Sequence, residues 1–421
     1  MIQEIYQKFL ECSGVSTDSR RISEGVLFFA LKGPNFNGNL FASKALDDGA
    51  KFAVVDEEQY ILDKRFILVE DVLSTLQELA NHHRNQFEIP FIGITGSNGK
   101  TTTKELMHAV LGKKFNTLAT KGNLNNHIGV PLTLLEVNAE HEMAIIEMGA
   151  NKVGDIKELC DIADPDFGMI TNIGTAHIEG FGGYEGVLRG KTELYDHVIR
   201  KGGTLFVNQT DDVLMNMSKR MKDPQFYPDG DELVSASPYV EFKSSAGNLI
   251  HTQLVGKYNY MNLSAAIRIG RYFGVEEADA LSAVSEYVPE NNRSQIIEKG
   301  TNTIILDAYN ANPSSMKEAI ESLAAFDSDQ KAVILGDMYE LGDEKVSYHA
   351  AIGELLAKQD FDRAILCGEL MRSAYEAFPG SIYFEKKEEL VSYLQENPFS
   401  NTTLLIKASR GMGLETLMDV L

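Results

Sequence analysis

The segment Gly93-Ile-Thr-Gly-Ser-Asn-Gly-Lys-Thr-Thr-Thr103 holds the residue types that grip a phosphorylated nucleotide. Its glycines free the backbone for a turn in which successive N–H groups converge on anionic oxygens, with Gly96, Ser97, Asn98 and Gly99 forming the cradle. Lys100 brings positive charge to the terminal phosphates, and the Thr101 hydroxyl is a ligand type for Mg²⁺. The general G-x-x-x-x-G-K-[ST] spacing wants glycine at position 94, where this chain has Ile94, so the pattern is a narrower variant. The run Thr101, Thr102, Thr103 is poor in helix propensity and suits hydroxyl ligands or caps better than a first helical turn. The chemistry expected here is the binding and use of a nucleoside triphosphate.

Other residues fit the same chemistry to differing degrees. Glu147 ends the apolar run beginning at Ala144. In a parallel sheet the carboxyl end of such a strand opens on the same crevice as a phosphate loop, so Glu147 is placed to hold Mg²⁺ or order its water. The alternative is a strand-end glutamate in solvent. His177, in Ile170-Thr-Asn-Ile-Gly-Thr-Ala-His-Ile-Glu-Gly-Phe-Gly182, leaves a strand into a polar loop and suits a metal ligand or substrate contact as well as a structural histidine. Lys191 lies where a helix pattern starts, and nothing in its surroundings distinguishes it from a solvated lysine. Asn123, Asn125 and Asn126 crowd a glycine-bounded turn before a helix-like stretch at 132–137, compatible with fixing ligand oxygens or with ordinary turn chemistry.

The elements that must position these residues are legible in the rhythm of the chain. Residues 1–86 carry short strand-like runs at 26–31, 52–55 and 66–69 with a helix pattern at 73–81, a small α/β unit. Residues 87–291 hold the phosphate loop, a helix pattern at 104–111, buried strands at 143–148, 167–171 and 203–208, an edge-strand alternation at 242–255 and a helix at 260–272. From 292 to 421, strands at 303–307, 332–335, 364–367 and 403–407 alternate with helices at 314–325, 346–357, 386–395 and 414–420. That alternation predicts a mostly parallel sheet with helices on both faces. The fold class is therefore α/β in three domains, a central P-loop-type sheet flanked by a small N-terminal α/β domain and a Rossmann-like doubly wound C-terminal domain.

Sixty-one acidic against 39 basic side chains give a net charge of −22 over 421 residues, which disfavours nucleic acid or anionic membranes as main partners. Anionic substrates must then be met by local cations. Three isolated cysteines without metal-ligand spacing suit a reducing compartment, and neither a leader nor a long apolar run is evident, so a cytoplasmic monomer is expected.

The loop TGSNGKTTT, the runs GNLNNHIGVPLTLL, IIEMGA, ITNIGTAHIEGFG, LDAYNANPSSM and GDMYELG, and Thr17-Asp-Ser-Arg20 and Phe28-Phe-Ala-Leu-Lys-Gly33 together resemble the Mur ligase family. YNANP is the most discriminating of them, and a D-N-P-R-type signature is absent from the sequence. The resemblance implies an ATP-dependent amide ligase with a UDP-sugar domain, an ATP domain and a mobile C-terminal domain. It further implies that UDP-N-acetylmuramoyl-tripeptide and D-Ala-D-Ala are the substrates, and that the peptide carboxylate is phosphorylated before the amine attacks. Lys100, Glu147, His177 and Lys191 become catalytic, with one Mg²⁺ near Thr101 and Glu147. A second would sit near His177 and a carbamylated Lys191. Thr102, Asn262, Arg293 and Asp307 become nucleotide contacts, and Ser19, Arg20, Asn125, Asn126, Tyr309, Asn310 and Asn312 substrate contacts. Arg293 follows Asn-Asn where Gly is common, and Leu306 replaces a frequent aspartate. Another Mur or folylpolyglutamate-synthetase-like ligase, or a P-loop kinase or nucleotide switch, are the alternatives.

Overall fold

A computed structural model describes residues 1–289 and 293–421, and the boundary expected at 291/292 lies outside the described residues. The N-terminal unit is a four-stranded parallel sheet in the order Val15–Ser16, Leu27–Phe29, Phe52–Val55, Phe66–Leu68. The helix Val72–Arg84, capped by Asp71 accepting from Ser74 N–H, joins it to the next unit. Its Leu76 and Leu79 share one core with Phe29 and Val54 on one side and with Val130 and Ile146 on the other. The first two units are therefore welded by burial and do not merely touch.

The central sheet has six parallel strands in the order Gln225–Tyr227, Thr204–Asn208, Phe167–Ile170, Phe91–Thr95, Met143–Glu147, Thr117–Ala119. Alternate residues of Met143–Glu147 enter opposite cores: Ala144 and Ile146 one, Met143 and Ile145 the other. A strand buried on both faces reads as an unbroken apolar run, which is why it was legible in sequence. The alternation expected at 242–255 is not one strand. Glu241–Lys243 and Leu249–His251 form a hairpin beside Glu232–Ser235, because Gly247 at φ +84° turns the chain back.

The C-terminal sheet runs Gln295–Lys299, Asn302–Asp307, Thr403–Lys407, Lys331–Gly336, Arg363–Cys367, Ile382–Phe384, antiparallel only at its first strand. Two cores, one holding Ile305, Val333 and Leu366 and the other Ile304, Ile334 and Ile365, cover its two faces, so the doubly wound expectation holds. The helix expected at 414–420 is a 3₁₀ segment, Leu414–Asp419. The amphipathic helix Ile2–Leu10, which buries Ile5, Tyr6 and Phe9, was not anticipated.

Candidate functional site

The strand Phe91–Thr95 ends at Gly96, φ +143°, and the helix Lys100–Leu111 begins behind Gly99, φ +79°. A Cβ on Gly96 would lie 1.9 Å from Thr171 Oγ1 and one on Gly99 2.7 Å from Asn262 Oδ1, so both positions require glycine for backbone and space. The helix takes in all three threonines, against the expectation that it starts at 104. Two of their hydroxyls are occupied: Thr103 Oγ1 meets Gly99 O at 2.8 Å and Asn262 Oδ1 at 3.0 Å, and Thr101 Oγ1 donates to Glu147 Oε1 at 3.1 Å. Side-chain bonds that tie the helix start to two other elements outweigh weak propensity.

The loop's N–H groups do not all point at a ligand. Ser97 N–H donates to Asn172 O at 3.1 Å and Asn98 N–H to Asn172 Oδ1 at 3.0 Å, while Asn98 O accepts from Thr171 Oγ1 at 2.6 Å. Lys100 Nζ lies across the loop, donating to Gly96 O at 2.7 Å and Ser97 O at 3.2 Å. Loss of hydration in the cleft presses its pKa down to about 8, with Glu147 opposing and Arg293 assisting the shift.

Glu147 closes its strand with 1 % of its surface exposed. Its Oε1 accepts from Thr101 Oγ1 and from Asn125 Nδ2 at 2.8 Å, and its N–H is held by Thr120 Oγ1 at 3.0 Å. Oε2 has no hydrogen-bond partner, and Lys104 Nζ stands 3.7 Å away. A buried carboxylate oxygen without a donor is costly unless a cation completes it, and Mg²⁺ characteristically takes one or two carboxylates plus phosphate oxygens and water. The residues therefore fit a divalent cation held by Thr101 and Glu147. Among the described residues no cluster of three or more His, Cys, Asp or Glu side chains is arranged to hold a metal ion without such help.

Lys191 does not start a helix but sits within Tyr184–Lys201, fully buried, with Nζ 3.4 Å from Ala150 O and 5.1 Å from the Phe181 ring centre. Burial, with Lys100 nearby, pushes its pKa well below the usual lysine value. His177 adopts φ +56° before the short helix Ile178–Phe181, and its Nδ1 pairs with Glu340 of the C-terminal unit. Desolvation lowers its pKa, an effect Glu340 opposes.

The C-terminal unit presents its strand ends to the same cleft, a cavity of about 630 Å³ lined by Lys100, Glu147, His177, Asn262, Arg293, Asp307, Tyr309, Asn310 and Asn312. Asp307 pairs with Lys407, its register neighbour, and accepts from Ser294 N–H at 3.3 Å. The Arg293 guanidinium lies 3.6 Å from the Tyr309 ring centre and that of Arg410 4.9 Å. In an acidic chain, Lys100, Arg293, Lys407 and Arg410 supply the local positive charge an anionic substrate needs.

Several expected ligands carry structural work. Asn126 Oδ1 accepts from Ile128 and Gly129 N–H at 3.1 and 2.9 Å, a turn that starts Gly129–Leu134, whereas the helix was expected from 132. Asn312 caps Pro313–Ala324 in a capping box with Ser315. Asn310 Oδ1 accepts from Ala311 N–H at 2.9 Å. Ser19 and Arg20 line neither large cavity, and Arg20 pairs with Asp18 at 2.9 Å on the surface. Thr102 borders both the cleft and a larger cavity of about 1300 Å³ beside the edge strand Thr117–Ala119.

Residues not anticipated include the fully buried Lys104, whose Nζ donates to Thr120 O at 2.5 Å and pairs with Glu105 at 2.9 Å. Its spacing, one turn beyond Lys100, was the available signal. Glu318, in the cleft, has its carboxyl pushed up to about 7 by burial. Glu340 lies inside the GDMYELG run but had no assigned part.

Three family models match the chain: "Mur ligase family, catalytic domain" over residues 11–94, "Mur ligase middle domain" over 94–270, and "Mur ligase, glutamate ligase domain" over 292–410. The UDP-N-acetylmuramoyl-tripeptide–D-alanyl-D-alanine ligase of Bacillus subtilis is 36% identical over 96% of this chain and 92% of its own length. That of Escherichia coli is 31% identical over 97% and 93%. The solved structure of MurF from Acinetobacter baumannii superposes with a TM-score of 0.87 at 30% identity, covering 100% of this chain and 98% of that one. MurF ligase from Thermotoga maritima in complex with ADP superposes at 0.86 with 27% identity, covering 98% and 97%.

Proposed function

The chain belongs to the Mur ligase family, and from that premise we propose that it is the ATP-dependent ligase that joins D-alanyl-D-alanine to UDP-N-acetylmuramoyl-tripeptide in peptidoglycan precursor synthesis. The observation that carries this reading is one cleft lined by a phosphate loop, the strand-end carboxylate Glu147 and the strand ends of a second sheet. Such a cleft suits a reaction that must bring two bulky substrates to ATP.

A carboxylate is inert to an amine, so the γ-phosphoryl group is first transferred to the terminal carboxylate of the tripeptide. The dipeptide amine then attacks that acyl phosphate, and phosphate leaves from the tetrahedral intermediate. Lys100, a cleft-lining cation whose Nζ rests on the carbonyls of Gly96 and Ser97, would meet charge on the transferring phosphoryl group. The Thr101 hydroxyl and Glu147 Oε2 would hold one Mg²⁺, which when bound neutralises charge between phosphates. A second ion would draw on His177 and on Lys191 as a carbamate. What supports this is that burial lowers the Lys191 pKa and so favours the neutral amine, the form whose lone pair adds to CO₂ with release of one proton. Asn262, Arg293 and Asp307 would contact the nucleotide; Tyr309 and Asn310 remain the side chains suited to the dipeptide.

The division into 1–86 for the UDP-sugar, 87–291 for ATP and 292–421 as closing domain belongs to the same proposal, supported by sheets that fall within those limits. A monomer as the working unit belongs to the same proposal. Among the described residues no helix is long and apolar enough to cross a membrane, and the nucleotide substrates favour the cytoplasm. The test is phosphate release with ATP, Mg²⁺ and UDP-tripeptide, with and without D-Ala-D-Ala. Release that requires the dipeptide, with an amide product, is the expected result. Phosphorylated acceptor accumulating without a second substrate would replace the ligase with a kinase.

A further inference from the structure

The side chain of Asn98 turns away from the loop it belongs to. Its Nδ2 donates to Ser314 Oγ at 2.9 Å, Ser314 Oγ donates to Asn312 Oδ1 at 2.8 Å, and Asn312 Nδ2 donates back to Asn98 Oδ1 at 2.8 Å. The ring is directionally consistent. Asn312 Oδ1 must face Ser315 N–H, 3.0 Å away, to cap its helix, and this leaves Nδ2 to face Asn98. Each bond thereby aligns the next donor, the arrangement in which hydrogen bonds reinforce one another. The contact continues at Thr175 Oγ1, which accepts from Ser314 N–H at 3.4 Å. Meanwhile the Asn98 backbone is fixed from the central sheet by Thr171 and Asn172.

We propose that Asn98 is a positioning residue, a strut whose side chain couples the phosphate loop to the first turn of helix Pro313–Ala324 and so sets where Tyr309 and Asn310 stand relative to Lys100. It acts through Ser314 and Asn312 and not by touching nucleotide. The inference rests on the ligase reading only for its kinetic test.

That test is a double-mutant cycle. Asn98→Ala and Ser314→Ala should each lower kcat/KM for the dipeptide about tenfold, the scale of a lost bond that leaves a part-buried partner unpaired. The double variant should fall by about the same tenfold and not a hundredfold, since either change already breaks the ring. Asn98→Asp, which still accepts from Asn312, should keep more activity than the alanine variant. Additive losses, or wild-type rates in Ser314→Ala, would overturn the strut. Hydrogen exchange supplies a readout that needs no substrate: Ser314→Ala should speed exchange in the loop 96–99, and Asn98→Ala at the start of helix Pro313–Ala324. Changes confined to the mutated unit would overturn the proposal. A wild-type chain without dipeptide-dependent phosphate release, yet with this cross-unit exchange, would sink the ligase reading and leave the strut standing.

Discussion

Replacing Glu147 by glutamine tests where the divalent cation is held. The amide keeps the shape of the carboxylate and can still accept from Thr101 and Asn125 through one oxygen, but it removes the charge and puts an N–H₂ where Oε2 faces Lys104 at 3.7 Å. At an effective dielectric constant of about 20, a charge pair at that distance is worth about 4 kcal/mol before desolvation is counted. Lys104 retains Glu105 at 2.9 Å and Thr120 O at 2.5 Å, so it is not stranded. The fold should lose about 1–3 kcal/mol, less than the ~3–5 kcal/mol of an orphaned buried charge. Function should suffer more. Loss of a preorganised group facing transition-state charge costs at least about 10²-fold in rate, and the Mg²⁺ concentration for half-maximal rate should rise at least about tenfold. The assay is phosphate release titrated with Mg²⁺ at saturating substrates, with thermal melting run in parallel. Glu105→Gln is the control: it removes Lys104's other carboxylate while leaving Oε2 in place, and should keep wild-type Mg²⁺ dependence. A Glu147→Gln enzyme with wild-type half-saturation by Mg²⁺ and more than about a tenth of the rate would refute the assignment.

The remaining expectations follow from burial and charge. With its pKa lowered to about 8, Lys100 is mostly cationic below that pH and mostly neutral above it, so kcat/KM for ATP should fall as pH rises through about 8; Lys100→Arg, weak but permanently charged, should lose that limb of the profile. Lys191→Ala should be inactive and partly rescued by formate or acetate, and ¹³CO₂ should give the wild type a carbamate NMR signal that the variant lacks; full unaided activity in the variant would exclude the carbamate. Arg84 is buried, donating to Ala163 O at 3.1 Å, Asp164 O at 2.8 Å and Asp166 Oδ2 at 2.9 Å with its guanidinium 4.1 Å from the Phe91 ring centre, and since Asp166 keeps Lys201 at 2.8 Å, Arg84→Ala should destabilise by about 1–3 kcal/mol in denaturant melts.

By itself the sequence determined what depends on neighbours in the chain. Glycine spacing at 96 and 99, followed by Lys100 and Thr101, specifies a strand-loop-helix phosphate cradle because only glycine enters those backbone angles. Unbroken apolar runs such as Met143–Glu147 specify strands buried on both faces, and with them the strand-end position of Glu147. Weak or short signals were lost: the strand Gln295–Lys299 is half-exposed, and the hairpin at 241–251 looked like one strand because period-two alternation does not mark where a glycine turns it. Tertiary structure decided everything that sums over distant segments. Lys191 looks solvated in its own sequence, yet the fold buries it against Ala150 and Phe181, and that burial lowers its pKa. His177 meets Glu340 across 163 residues, and Asn98 meets Ser314 across 216. Asn126 and Asn312 have the chemistry of ligands, yet the folded backbone offers their carbonyl oxygens unpaired N–H groups at helix starts. A cap that satisfies those donors engages the Oδ1 of each side chain.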